Sequence, residues 1–357
     1  MNQHPRLSGK PGRALRCTVL GIVMAAVTGC GHDQDLLHKS QLLAMGTLVD
    51  ISIWTRDDGL AQRAIATVTQ ELNDAEHRWH AWRPSPLTEI NSKIAAGQPA
   101  TVDALTRDLI KKSQILASAS DNLFNPTIGK LIEVWGFHTD DRPDVPPPAQ
   151  DQIDALLANA PAMADLHIDG DHVTSTNRHV QLDFGGIAKG YAVDLAVDKI
   201  RKLGVRNAIV DAGGDLRAIG SHGDRPWRIG IRNPRGPGVI ASLEARGDES
   251  IFTSGDYERY FIYKGKRYHH IIDPRTGYPS TGATSATVIH SDAATADAAA
   301  TALIVAGPKK WRAVAKSMGL KYVMLVDSKG TVYMTPAMAK RIKFQIEPPP
   351  KVIVAQP

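Results

Sequence analysis

Apolar and polar residues alternate from Gln41 to Trp54, with Leu43, Met45, Thr47, Val49, Ile51 and Ile53 on one side, and this period of two predicts a strand. From Asp57 to Arg78 the apolar positions fall at helical spacing instead. Trp79 to Gln98 keeps neither period and carries Pro84 and Pro86 as breakers, so irregular structure is predicted. A second helix is predicted over Thr101–Ala119, capped by Thr101 or Asp103. Asn125-Pro126-Thr127 opens a further helical run, Ile128–Val134, with Pro126 where a helix start tolerates it. Asp140–Pro148 reads as a surface loop. Short strands occupy Leu166–Leu182, the last of them His179–Leu182, and a helix follows from Gly186 to Leu203. Strand patterns then dominate: Asn207–Val210, Leu216–Gly220, Trp227–Arg232, Val239–Ala245, Arg259–Tyr263, Tyr268–Ile272 and Thr284–His290. Two helices, Ala293–Ala306 and Lys309–Met318, precede strands near Tyr322–Val326 and Thr331–Tyr333. From Pro348 the chain is proline-rich and predicted to be disordered. The class is α+β, a mixed or antiparallel sheet core flanked by helices.

The N-terminus has a different character. Arg6, Lys10, Arg13 and Arg16 form a basic region, and the apolar run Cys17–Val27 after it is too short to span a bilayer comfortably. It ends Val27-Thr28-Gly29-Cys30, which resembles a bacterial lipobox. The expectation is a lipoprotein signal peptide over 1–29, a lipid on Cys30, and a polar tether over 30–40. Loss of the leader takes four cations from a formal charge of +5, leaving about +1. No basic patch then points to nucleic acid. Cys17 and Cys30 are the two cysteines, so the mature chain has no pair for a disulfide and no free thiol for catalysis.

The densest chemistry lies in Leu182-Asp183-Phe184-Gly185-Gly186-Ile187-Ala188-Lys189-Gly190. Two glycines at a strand-to-helix junction let backbone amides approach a ligand, and the helix start adds unpaired N–H groups with partial positive charge. Lys189 places a cation where a helix ordinarily prefers an acid, which makes sense if an anion binds there. Asp183 is an adjacent acceptor or metal-facing carboxylate. The layout suits a phosphate or pyrophosphate; it equally suits a plain turn with a solvated lysine. It is neither GxGxxG nor a Walker loop.

Within Ala293–Leu303, Asp297 and Thr301 lie one helical turn apart among small residues. A carboxylate and a hydroxyl offered together suit Mg²⁺, which keeps several waters and shares ligands with phosphates; a polar pair on a closely packed alanine helix is the alternative. His269-His270 precedes an Asp273-Pro274 turn closed by Gly277. Adjacent strand residues face opposite ways, so one histidine can serve as a general base and the other is structural. Ala212–Asp215 and Ser254–Arg259 look like special turns, the former for backbone geometry alone.

Taken together and in this order, Met45-Gly46-Thr47, Phe124-Asn125-Pro126-Thr127, Trp135-Gly136-Phe137, Asp183–Asp194, Ala212–Asp215, Ser254–Arg259, His270–Pro279 and Ala296–Thr301 resemble the ApbE family, the FAD:protein FMN transferases. The resemblance implies a two-lobed, T-fold-related architecture over 41–346, with 347–357 a proline-rich tail. It implies Mg²⁺-dependent transfer of FMN from FAD to a threonine hydroxyl of an exported redox protein, with release of AMP. On this reading Met45, Trp82, Leu123, Phe124, Asn125, Asp183, Lys189 and Ile272 line the FAD site. Gly186, Asp297 and Thr301 hold the metal, and His270 is the candidate base, with Asp183 second. Trp82, Asn125 and Ala300 depart from the tyrosine, aspartate and further aspartate that members often carry. The implied partners are FAD, an exported flavin acceptor of an electron-transfer complex, and the membrane through the lipid anchor. The location is the periplasmic side. An Mg²⁺-dependent FAD pyrophosphatase and a non-catalytic flavin-binding lipoprotein are the alternatives. Thr281-Gly282-Ala283-Thr284 partly resembles a flavin-acceptor motif and marks a minor alternative of self-modification.

Overall fold

The alternation at the start of the domain conceals a turn. In the computed structural model, which describes residues 36–138 and 146–357, β1 (Leu37–Ala44) and β2 (Thr47–Trp54) pair antiparallel with Ala44 opposite Thr47. Met45 and Gly46 both take left-handed backbone, φ 55° and 70°, the geometry that matches strand twist in a two-residue hairpin. The single expected strand is therefore two, and its inner face switches from even to odd positions across the turn. Leu43, expected inside, is 79% exposed. The strand also begins within the expected tether. The leader, Cys30 and residues 140–145 of the Asp140–Pro148 loop lie outside the described residues.

Helix α1 (Asp58–Trp79) is capped by Asp57, whose carboxylate accepts from Leu60 N. The Trp79–Gln98 region is not irregular throughout: it contains α2 (Pro86–Ala95), with Ser85 as cap. Pro86 fails to break it because at the first helical position a missing N–H is no loss. After β3 (Ala100–Thr101), α3 (Ala104–Ala119) is capped by Asp103. Helix α4 (Gly129–Val134) starts later than expected, leaving Pro126 outside it. Then come α5 (Gln150–Leu157), β4 (Leu166–Asp169) and β5 (His172–Ser175). His179–Leu182 is no strand; only a bridge between Ile128 and Gln181 forms there.

The second half supplies most of the sheet. In order it comprises α6 (Ala188–Lys202), β6 (Ala208–Ala212), β7 (Leu216–Ile219), β8 (Arg228–Arg232), β9 (Val239–Glu244), β10 (Glu249–Gly255), β11 (Tyr260–Tyr263), β12 (Lys266–His269), β13 (Ala283–His290), α7 (Ala293–Ser317), β14 (Tyr322–Asp327), β15 (Val332–Met334), α8 (Pro336–Ala339), β16 (Lys343–Phe344) and β17 (Val352–Val354). Nine strands form the main sheet, ordered β1-β2-β6-β7-β10-β13-β14-β15-β17 and antiparallel except for the last pair. Because β17 joins β15, the tail is ordered at Val352–Val354 and not the disordered segment its prolines suggested.

One sheet face packs on α1, α6 and α7, and the other meets the small β16-β9-β8 sheet and α8. Central strands covered on both faces lose their alternation: β7 and nearly all of β13 are buried continuously. The two helices expected at 293–318 are both present within α7 and meet at a kink at Gly307, where φ is 61° and the backbone is not helical.

Helices α6 and α7 approach one another closely at Gly190. A Cβ on Gly190 would lie 2.3 Å from the Ala293 carbonyl oxygen, so only glycine lets the two backbones meet. Gly190→Ala is expected to lose about 1–3 kcal/mol, since the obstacle is main chain that cannot rotate away. Thermal unfolding at parental midpoint would contradict this close packing.

Candidate active site

Helix α6 begins without a cap of its own, because Ile187 offers no side-chain acceptor. Asp297 supplies one from α7, its Oδ2 accepting from Gly190 N at 3.0 Å. The favour is returned. Asp194 of α6 accepts from Ala293 N at 2.9 Å and Ala294 N at 3.1 Å, covering the first amides of α7. Arg217 steadies Asp194 through a 2.6 Å ion pair and grips Asp248 with two further bonds. Two helix starts thus meet, each capped by the other's carboxylate.

This junction brings the predicted diphosphate residues together. Thr301 Oγ1 lies 3.2 Å from where a Cβ of Gly186 would stand, and Phe124 closes the same spot from behind. Ser254 and Thr301 hydroxyls are 3.3 Å apart. Asp297 is 4% exposed, and among the described residues no hydrogen bond reaches its Oδ1. Burial pushes its carboxyl up to about 7, opposed by the Lys189 charge and reinforced by Asp215. A buried carboxylate with one oxygen uncommitted calls for a cation.

Lys189 is a missed partnership rather than a missed residue. Its ammonium pairs with Asp215, whose other oxygen accepts from Thr253 N at 2.9 Å. Burial works against the charged lysine, but Asp215 and then Asp297 more than offset it, holding Lys189 protonated well above the ordinary lysine range. The Ala212–Asp215 turn, expected to serve geometry alone, delivers this carboxylate. Gly213 is required there, with φ 72° and Thr47 Oγ1 2.2 Å from a would-be Cβ. The readable signal was an acid placed directly after a glycine pair at the start of a strand.

Asp183 and Trp82 also meet. Trp82 Nε1 donates to Asp183 Oδ2 at 3.3 Å, Gly185 N donates to Oδ1 at 2.8 Å, and the Arg259 guanidinium lies 4.6 Å over the indole. His270 is half-buried, with Nδ1 3.2 Å from the Arg259 carbonyl. Desolvation, then the Arg259 charge, pushes it down to about 3, so the ring is neutral at physiological pH. If Nδ1 carries the proton toward Arg259 O, Nε2 is left as an acceptor. His269 is buried against the Ser280 carbonyl, as the structural member of the pair.

The other flavin-lining candidates are placed differently. Leu123 and Phe124 are core residues, 4% and 2% exposed, and the Phe124 ring lies 3.6 Å from where a Cβ of Gly186 would stand. Asn125 accepts from Thr127 N and Oγ1 and donates to Pro161 O, so its amide organises the loop. Met45 sits in the hairpin turn, its N–H on Glu76. Ile272 lies in a separate apolar cluster with Trp135 and Phe137. Thr284 is fully buried and donates to the Val326 carbonyl, which removes it as a self-modification site.

Hard oxygen donors, a helix start and a fixed ammonium meet at one junction of this α+β protein, a set of groups chemically suited to a phosphorylated ligand. Comparison with known proteins makes this specific. The ApbE family model matches residues 45–324. A Rhodobacter capsulatus FAD:protein FMN transferase is 42% identical over 84% of this chain, which spans 57% of that relative's length. A Vibrio cholerae FAD:protein FMN transferase is 32% identical over 85% of this chain and 91% of its own. The ApbE protein from Thermotoga maritima superposes with a TM-score of 0.76 at 34% identity, covering 83% of this chain and 96% of that one. The flavin transferase ApbE from Vibrio cholerae gives 0.74 at 27%, covering 85% and 99%. The chain belongs to the ApbE family.

Removing one member of the Lys189–Asp215 pair strands the other. Lys189→Met is expected to destabilise by up to about 3 kcal/mol, with Lys189→Met/Asp215→Leu recovering much of it. Additive losses in this double-mutant cycle, read by urea unfolding, would show that the two side chains are not coupled.

Proposed function

We propose that the protein transfers the FMN moiety of FAD to a threonine hydroxyl of an exported protein and releases AMP. The observation that carries this is the convergence of Gly186, Asp297, Thr301 and Lys189 on one helix junction, in a chain whose relatives are named FAD:protein FMN transferase. Mg²⁺ fits the donor set: one uncommitted carboxylate oxygen on Asp297, the Thr301 hydroxyl and the Gly186 backbone leave room for water and phosphate oxygens. When bound there, the metal supplies charge neutralisation at the diphosphate.

The protein's own groups account for the rest. Lys189, held by Asp215, offers a fixed positive charge to the phosphate oxygens without having to be ordered at the moment of reaction. The acceptor threonine Oγ forms a bond to the FMN phosphorus while the bond from that phosphorus to the bridging oxygen breaks; the oxygen leaves with AMP. His270 is the candidate to take the hydroxyl proton through Nε2, the nitrogen not engaged by Arg259; desolvation and the Arg259 charge keep the ring neutral and make it a weak base until a bound anion offsets them. Asp183 is the weaker base candidate, because both its oxygens already accept hydrogen bonds from Trp82 and Gly185.

The leader pattern supports export and a lipid anchor at Cys30, hence a periplasmic, membrane-tethered enzyme whose acceptor belongs to an electron-transfer complex.

Asp297→Ala is expected to lower Mg²⁺-dependent transfer by about 10²-fold or more. The assay follows FMN mass on an exported acceptor together with AMP release. Full activity in this variant would exclude the metal site. AMP and free FMN without acceptor labelling would mark a pyrophosphatase, and FAD binding without AMP would mark a flavin carrier.

A further inference from the structure

Ser254 opens a stretch that the sequence singles out as a special turn, and the structure sets it at the end of β10 instead. That strand lies inside the main sheet, between β7 and β13. Its pleat turns Ile251 and Thr253 to one face, with Thr253 Oγ1 2.9 Å from Thr287 Oγ1 across the strands. Phe252 and Ser254 fall on the other face, where the helical layer packs. There the Ser254 hydroxyl meets Thr301 of α7, Oγ to Oγ1 at 3.3 Å.

Thr301 sits inside a helix, where a threonine hydroxyl commonly turns back on the carbonyl one turn earlier. Thr67 in α1 does this, donating to the Arg63 carbonyl at 2.8 Å. Thr301 does not: among the described residues its hydroxyl has Ser254 as its one hydrogen-bond partner. Among the same residues, Ser254 Oγ likewise has Thr301 alone. Two hydroxyls that answer only to each other can be oriented either way, because each carries one hydrogen and two lone pairs.

A cation on Thr301 would decide between the two orientations. An oxygen that coordinates a cation gives it a lone pair, so the hydrogen of that hydroxyl must point elsewhere and find an acceptor. We infer that Ser254 is a positioning residue for the metal proposed above: its Oγ accepts the Thr301 hydrogen and leaves the Thr301 lone pairs to the cation. The inference rests on that metal reading. The Ser254 hydrogen, turned away from Thr301, then meets no acceptor among the described residues and is left for an oxygen of the anionic ligand. Thr253 N, one residue back, donates to Asp215, which holds Lys189. The end of β10 therefore steadies both Thr301 and the partner of the fixed ammonium from one short segment.

The test uses the full chain with FAD and no acceptor, and reads Mn²⁺ binding from the electron paramagnetic resonance signal of the free ion. Ser254→Ala is expected to weaken Mn²⁺ binding about tenfold or more. With an acceptor added, the Mg²⁺ needed for half-maximal transfer is expected to rise by the same factor, while kcat at saturating Mg²⁺ changes far less. Ser254→Thr keeps the hydroxyl and is expected to bind Mn²⁺ as the parent does. In a Thr301→Val background, Ser254→Ala is expected to have no further effect, since no hydroxyl remains to be oriented. Parental Mn²⁺ affinity in Ser254→Ala, losses that add in the double variant, or Ser254→Thr as weak as Ser254→Ala would each overturn the assignment. No Mn²⁺ bound by the parent would overturn the metal site and this inference together. Mn²⁺ bound with this dependence on Ser254, but no transfer to a threonine acceptor, would support the positioning role and overturn the transferase reading alone.

Discussion

The structure depends on one close approach, where Gly190 of α6 lies against the main chain of α7 at Ala293. Nothing larger than a hydrogen fits on that α-carbon, and the closeness lets each helix cap the other. Asp297 reaches Gly190 N, and Asp194 reaches Ala293 and Ala294. A helix start leaves amides unsatisfied, and burial makes that costly. The cross-caps meet this need and in doing so fix Asp297 beside the Gly185-Gly186 bend. On the proposed function, stability and chemistry share a side chain: one oxygen of Asp297 caps Gly190 N and the other faces the ligand.

The electrostatics follow from that sharing. A carboxylate buried at the junction resists ionisation unless a cation is near. Lys189 is that cation in the protein itself, but Asp215 holds it to one side. The site is thus poised rather than neutralised, with a fixed ammonium, a partly frustrated carboxylate and a hydroxyl within one turn of it. The metal-bound diphosphate proposed for this site would bring both the positive and the negative charges that complete the arrangement.

Much of this was legible in the chain. Gly185, Gly186 and Lys189 near a helix start, and Asp297 with Thr301 one turn apart, stood out by spacing, but each alone suited a plain turn or a packed alanine helix as well, and only their ordered combination pointed to a site. The helices at 58–79 and 104–119 carried clear periods and caps. What failed did so for local reasons. A two-residue turn at Met45-Gly46 hid inside an unbroken alternation, Pro86 started a helix instead of stopping one, and β17 was masked by the prolines before it. Strand β10 went unread because Ser250, Thr253 and Ser254 interrupt its apolar run, although β7 and β13 pair with it on either side. The Lys189–Asp215 and Asp194–Arg217 pairs join residues more than twenty apart, and no single-sequence period reports such contacts.

The most direct measurement is the anomalous scattering map of crystals grown with FAD and Mn²⁺ in place of Mg²⁺. The account predicts a peak between Asp297 and Thr301, with the diphosphate against Gly186 and the Lys189 ammonium. A peak elsewhere, or flavin bound with Asp297 touching only Gly190 N, would contradict it.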